Sequence, residues 1–252
     1  MLTLLATTSE CKTVMKIPFL VSNNKTLLYP YCNNNGSVVL ILPGGAYNAV
    51  SVAQEGVSTA EFLSSRKYCS YIVAYTPLPR IHTTPLTEIE SALDYVHIKH
   101  PWSKVVVVGL SAGGHLAGTV SMYGRHVVHA LALIYPVITM ISSPLTHNAT
   151  RLGLLGPLDV DNATLHDRYS LERHVTACFP PTFLLHCLDD TLVNPGNTKL
   201  MEKALVTANV LHEVWYYPHG GHGFAMRKRP MKAKPLGQWP RRLEEWLAKV
   251  LY

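Results

Sequence analysis

Four clusters of residues in this chain have the types and spacing suited to acyl transfer. In Val105-Val-Val-Val-Gly109-Leu110-Ser111-Ala112-Gly113-Gly114-His115, an apolar run ends at a glycine-flanked serine. The valines predict a buried strand and the residues after Ser111 predict a helix. A serine at such a strand-to-helix turn has the setting of a nucleophile elbow. The turn forces Ser111 into a strained backbone conformation that aims its hydroxyl out of the sheet. Gly109 and Gly113 keep side chains out of the crowded turn. The helix start also points free N–H groups at any oxyanion formed there.

A serine needs a base. Among 13 histidines, His222 stands out within Pro218-His219-Gly220-Gly221-His222-Gly223-Phe224, a glycine-rich loop after the last predicted strand. His219 is its rival, and loop position favours His222. The pair has H-x-x-H spacing, yet no third ligand accompanies it, so no metal is expected. The base in turn needs a carboxylate to fix its tautomer. Leu184-Leu-His-Cys187-Leu-Asp189-Asp190 is an apolar run ending in two acids. Adjacent side chains diverge, so one acid should serve His222 and the other should be a solvated turn residue. A second oxyanion donor would come from the paired glycines of Val38-Val-Leu-Ile-Leu42-Pro43-Gly44-Gly45-Ala46-Tyr47.

These pieces need a sheet whose strands end at one edge. Strands are predicted over Ser37–Leu42, Cys69–Tyr75, Val105–Gly109, Ala130–Tyr135, Thr182–Cys187 and His212–Tyr217. Helices are predicted at Ala53–Ser65, Leu86–His100, Ala112–Tyr123, Gly196–Thr207 and Pro240–Leu251. Near-continuous apolar strands alternating with helices predict a doubly wound α/β fold with a mainly parallel sheet and helices on both faces. Val14–Val21 and Thr26–Tyr31 should add antiparallel edge strands. The segment 136–180 breaks the alternation, with one weak helical signal at Leu165–His174. It is expected as a cap-like insertion over the carboxyl edge of a single domain spanning 1–252, since long structureless loops are uncommon.

The motifs resemble the α/β-hydrolase superfamily, near the small acetylesterases and the esterases related to hormone-sensitive lipase. Leu42-Pro43-Gly44-Gly45-Ala46-Tyr47 is similar to that group's PGGGY or HGGG segment, and Gly109 to Ala117 is similar to its GxSAGGHLA elbow. Asp190-Thr-Leu-Val193 resembles its D-x-x-V, which implies Asp190 as the acid. Gly220 to Phe224 resembles its GGHGF loop. The order Ser111, Asp190, His222 is the one this resemblance implies. It also implies backbone oxyanion donors at Gly45 and Ala112, with Gly44 a third candidate, and no cofactor. Ala46 replaces the third glycine, Pro43 stands where many relatives have histidine, Tyr75-Thr76-Pro77 lacks the group's Tyr-Arg, and Glu88 replaces Asp.

The implied activity is a serine carboxylic-ester hydrolase on a short-acyl small-molecule ester, with acetylated carbohydrates as one class. The same triad would serve an amidase of arylformamidase type, and an inactive binding protein on this fold is the non-enzyme reading. With 48% hydrophobic and 15% charged residues among 252, the chain is neither disordered nor a coiled coil. Its charge of +6 gathers late, at Arg227, Lys228, Arg229, Lys232, Lys234, Arg241 and Arg242, as a solvated loop and helix start. No aromatic interleaving accompanies it, so no nucleic acid partner is expected. No apolar run reaches a membrane span. Met1 to Ala6 lacks a basic leader and is too short for a signal sequence, and an odd count of five scattered cysteines suggests reduced thiols, so a cytoplasmic location is expected, with secretion as the alternative. The N-x-S/T triplets at Asn24, Asn35, Asn148 and Asn162 are read as coincidence.

Overall fold

The protein is described here by a computed structural model covering residues 19–22, 26–32, 36–79, 81–226 and 236–252. Among the described residues, eight strands form one sheet: β1 Phe19–Ser22, β2 Thr26–Tyr31, β3 Val38–Leu42, β4 Cys69–Ala74, β5 Val105–Leu110, β6 Ala130–Ile134, β7 Thr182–Cys187 and β8 His212–Tyr217. Their order is β1-β2-β4-β3-β5-β6-β7-β8. β1 and β2 are antiparallel additions, while β4, β3 and β5 to β8 run parallel. This is the α/β-hydrolase fold that the motifs imply. Of the predicted first edge strand, the described part begins at Phe19, and the rest lies outside the described residues.

The central strands read as continuous apolar runs because both faces are covered. Val105 and Val107 of β5 pack in one core layer with Leu40 and Leu42, while Val106 and Val108 pack in the other with Val39 and Ile41. All four valines are fully buried, and burying each contributes about 1.5 kcal/mol or more. The covering helices are α1 Val57–Ser65, α2 Thr84–Lys99 and α3 Ala112–Tyr123. Then come α4 Asn148–Asp159, α5 Ala163–Arg168, α6 Gly196–Thr207 and α7 Trp239–Leu251. A π-helical turn, Val52–Gly56, leads into α1 where the sequence predicts ordinary helix. No helix among the described residues is long and apolar enough to cross a membrane.

The chain between β6 and β7 is more ordered than its sequence suggests. Besides α5 and a 3-10 turn at Leu171–Arg173, it holds α4, which the sequence reading missed. Gly156 at φ 73° and Pro157 interrupt α4 and hide its periodicity. Two buried side chains anchor this segment. Asn197 accepts from the Ile138 and Thr139 N–H groups and donates to Leu145 O, and Ser170 Oγ accepts from Met140 and Ile141 N–H. Gly153 of α4 lies so close to the Ala46 carbonyl that a Cβ there would overlap it, so α4 sits against the loop after β3.

Other expectations are corrected or explained locally. Cys32 and Cys69 form a disulfide, contrary to the reduced thiols expected; the pair extends the antiparallel β2–β4 register by one step beyond Tyr31↔Ser70. Cys178 and Cys187 are free. Of the basic cluster, Arg241 pairs with Glu245 at 2.7 Å and Arg242 lies 4.4 Å over the Trp215 ring; Arg227 to Lys234 fall outside the described residues. Asn162 caps α5 by accepting from the Thr164 and Leu165 N–H groups, and Asn24 and Asn35 also lie outside the described residues.

Candidate active site

Ser111 joins β5 to α3 at φ 55° and ψ −121°. Such a conformation costs about 1–3 kcal/mol and persists only where neighbours enforce it. The neighbours here are backbone. Ser111 N–H donates to Ile134 O at 3.0 Å, and its carbonyl accepts from the N–H groups of Gly114 and Val137. A Cβ on Gly113 would overlap the Leu42 and Pro43 carbonyl oxygens, and one on Gly109 would overlap the Gly113 oxygen. Glycine is therefore required at both positions, as the turn predicts.

His222 reaches Ser111 from the loop after β8. Its Nε2 lies 2.8 Å from Ser111 Oγ and its Nδ1 lies 2.6 Å from Asp190 Oδ2. The His222 ring rests 4.7 Å from the Tyr135 ring, which also packs on Phe224. Asp190 is buried at the end of β7, and its other oxygen accepts from the Leu192 and Val193 N–H groups at 2.9 and 3.0 Å. Burial would raise this carboxyl's pKa, but hydrogen bonds from His186, His222 and the Val193 N–H hold it well below the usual carboxylate range. The acid next to His222 is thus a fixed anion.

The sequence reading missed His186. Its Nε2 faces both Asp190 Oδ2 at 3.1 Å and Val193 O at 3.0 Å, and its Nδ1 lies 2.7 Å from Thr198 Oγ1. Two acceptors at Nε2 require the proton there, leaving Nδ1 to accept from Thr198. Asp189 is also more than a solvated turn residue. It is exposed, yet its Oδ1 accepts from the Gly220 and Gly221 N–H groups at 2.9 and 2.8 Å. That contact ties the His222 loop to the end of β7. His219 lies 3.5 Å from Asp189, whereas it is His222 that meets Ser111.

The three expected oxyanion donors divide. Ala112 opens α3, where helix geometry leaves its N–H without an intrahelical acceptor. The Gly44 carbonyl accepts from Ser51 N–H at 2.9 Å, so the antiparallel N–H of the same peptide, that of Gly45, points the other way. Gly44 itself is excluded: its N–H donates to Glu55 Oε2 at 2.5 Å, a partner the sequence did not reveal. The departures at Thr76 and Glu88 answer one another, since Thr76 donates from N and Oγ1 to the Glu88 carboxylate.

His115 anchors the loop after β3 through Tyr47. Fully buried, it accepts from Tyr47 Oη–H at Nδ1, 2.9 Å, and donates from Nε2 to Tyr169 O, 2.8 Å. Burial pushes its pKa down to about 4, against the carbonyl bond that favours the charged form. The unfolded chain takes a proton near 6.5 while the native chain stays neutral to about 4. Between those values the unfolded state binds more protons, so stability present at neutral pH is lost as pH falls through the window. The loss should be about 3 kcal/mol by pH 4. Urea midpoints measured from pH 7 to 4 should fall accordingly, and His115→Gln should flatten that slope; an unchanged slope would remove His115 as the cause.

Among the described residues, one close set of metal-type ligands occurs: Cys32, Cys69 and His100. Two of them are joined by the disulfide, and Cys69 starts β4, at the sheet edge opposite Ser111.

Residues 79–251 match the dienelactone hydrolase family. An acetylxylan esterase from Xylanibacter ruminicola is 26% identical over 255 residues, covering 94% of this chain and 53% of that protein. Endo-1,4-beta-xylanase B from Butyrivibrio fibrisolvens is 26% identical over 225 residues, covering 79% of this chain and 34% of its own length. The chain thus spans about half or less of these curated relatives. Among solved structures, an acetyl ester-xyloside bifunctional hydrolase from Caldicellulosiruptor lactoaceticus superposes with a TM-score of 0.77 at 25% identity, covering 89% of this chain and 88% of that one. The carboxylesterase Cest-2923 from Lactobacillus plantarum shares the fold at a TM-score of 0.79 and 18% identity, over 94% and 98% of the two chains. With the family match covering more than half of its length, the chain belongs to the dienelactone hydrolase family of the α/β-hydrolase superfamily.

Proposed function

We propose that this chain is a serine carboxylic-ester hydrolase that cleaves short-acyl esters through an acyl-enzyme on Ser111. The observation that carries this reading is the continuous hydrogen-bonded line from Ser111 Oγ through His222 to Asp190. His222 Nε2 takes the serine proton as Oγ attacks the ester carbonyl, and Asp190 stabilises the imidazolium that results. The Gly45 and Ala112 N–H groups receive the oxyanion, whose preorganised stabilisation is commonly the largest contribution to such catalysis. His222 then protonates the leaving alcohol, and water repeats the sequence to release the acid.

The named activities of the relatives support an acetyl group on a xylose-containing carbohydrate as the substrate class. The Cys32–Cys69 disulfide supports an oxidising compartment over the cytoplasmic location expected from the cysteine count.

Hydrolysis of p-nitrophenyl esters from acetate to decanoate tests the proposal. Activity should fall steeply beyond butyrate, and acetate should be released from acetylated xylo-oligosaccharides. A chain that hydrolyses no ester, but whose Ser111 still reacts with a phosphonate, would be an amide or formamide hydrolase instead. Absence of both activities would leave a binding protein.

A further inference from the structure

Glu55 is a buried carboxylate, 6% exposed, on the π-helical turn that leads into α1. It takes no part in the Ser111–His222–Asp190 line, yet it touches both loops that meet there. Oε2 accepts from Gly44 N–H at 2.5 Å, and Oε1 accepts from Tyr135 Oη–H at 3.0 Å. Tyr135 is the residue whose ring supports His222. Gly44 itself is wedged against both Ser111 and Glu55: a Cβ added to Gly44 would meet Ser111 Cβ at 2.7 Å and Glu55 Oε2 at 2.9 Å.

The Pro43–Gly44 peptide is therefore gripped on both sides. Tyr75 Oη–H donates to its carbonyl at 2.7 Å, and Glu55 accepts from its N–H. The next peptide is gripped on one side only, where Ser51 N–H meets the Gly44 carbonyl. Its other side, the Gly45 N–H, is left to face the site. Holding the first peptide plane fixes the Gly44 Cα from which the second peptide hangs, and the Ser51 bond to the Gly44 carbonyl then sets the rotation of that second peptide.

We propose that Glu55 is a positioning residue for the oxyanion site, holding the Gly44 N–H and the Tyr135 hydroxyl so that the Gly45 N–H stays aimed at the developing oxyanion while His222 stays seated. The proposal rests on reading Ser111 as the nucleophile of an ester hydrolase. Its demand on Glu55 is for acceptors at two fixed points. Glutamine can meet the first by turning its carbonyl oxygen to Gly44, and its amide can then donate to the Tyr135 oxygen.

The test compares wild type, Glu55→Ala, Glu55→Gln and Tyr135→Phe on p-nitrophenyl acetate, with melting temperature recorded for each. In parallel, labelling of Ser111 by a p-nitrophenyl phosphonate is timed, because it uses the same oxygen pocket without ester turnover. Glu55→Ala should lose about 30- to 100-fold in kcat with KM within about threefold, since a misaimed donor costs the transition state and not the ground state. Labelling should slow in proportion. Glu55→Gln should recover activity to within about fivefold of wild type. Tyr135→Phe, which keeps the ring on His222, should lose about three- to tenfold in kcat, and it remains readable if Glu55→Ala does not fold.

Three results would overturn the assignment: kcat unchanged in both Glu55→Ala and Tyr135→Phe, a loss carried by KM alone, or a loss as deep in Glu55→Gln as in Glu55→Ala. The last would make charge the relevant property. If wild type is labelled by the phosphonate but hydrolyses no ester, the esterase reading fails, and the labelling rates still decide the role of Glu55.

Discussion

Ser111→Ala should lower kcat on a short-chain ester by about a millionfold, because members of a nucleophile–base pair act as one unit. What remains would be the contribution of the Gly45 and Ala112 donors and of substrate binding, about a thousandfold above water. The fold should survive. The backbone at 111 is held by the Ile134 carbonyl and by the N–H groups of Gly114 and Val137, none of which involves Oγ. Oγ itself meets His222 Nε2 at the rim of the site, where the His222 side chain retains 13% exposure and water can replace the lost partner. Unfolding free energy should therefore change by no more than about 1 kcal/mol. Substrate KM should stay close to wild type, and phosphonate labelling should disappear. The measurement is single-turnover and steady-state hydrolysis of p-nitrophenyl acetate beside a urea melt. A residual rate within tenfold of wild type would remove Ser111 as the nucleophile, and a large loss of stability would make the kinetic loss uninformative.

The reason the serine could be read from sequence while other parts could not is the range over which each contact acts. The elbow is encoded within nine residues: an apolar strand, two glycines whose absent side chains would strike Gly113 O and Leu42 O, and a helix start. The strands β7 and β8 and the helices α3 and α6 fall on the residues their periodicity predicts. Contacts across the sequence were invisible. Whether Gly44 or Gly45 offers its N–H is decided by Glu55 and Ser51, whose placement follows from the π-helical turn, and helix periodicity alone gives no sign of that turn. The disulfide depends on the antiparallel register between β2 and β4, with 37 residues of sequence separating its cysteines. His186 reads in sequence as one more apolar-strand residue, and only the chain reversal after β7 turns its Nε2 toward both Asp190 and Val193 O. α4 was concealed for a local reason, since Gly156 and Pro157 break the pattern that a continuous helix would show.

Asp190→Asn should be the second most damaging change, and it should damage stability as well as rate. Every accepting position of this carboxylate is used by a donor. Oδ2 receives His222 Nδ1–H and His186 Nε2–H, while Oδ1 receives the Leu192 and Val193 N–H groups. An asparagine amide must place its NH₂ at one of these two ends. Placed toward Oδ1, it opposes two backbone N–H groups that cannot reverse. Placed toward Oδ2, it opposes both imidazoles, and relief comes only if one gives up its proton at that nitrogen. His186 cannot do so without leaving the Val193 carbonyl unpaired, so His222 must change, moving its proton to Nε2. That tautomer presents N–H to Ser111 and cannot take its proton, which in serine hydrolases costs about ten thousandfold in kcat. Unmade buried hydrogen bonds should add about 2–4 kcal/mol of destabilisation. Asp189→Asn is the control that separates position from charge. Its carbonyl oxygen can still accept from Gly220 and Gly221, so the His222 loop stays tied and activity should remain within about tenfold. Paired kcat values and urea midpoints for the two variants check the ranking. If Asp189→Asn were the more damaging, the carboxylate serving His222 in solution would be the exposed one, and the buried Asp190 would be reduced to holding the turn after β7.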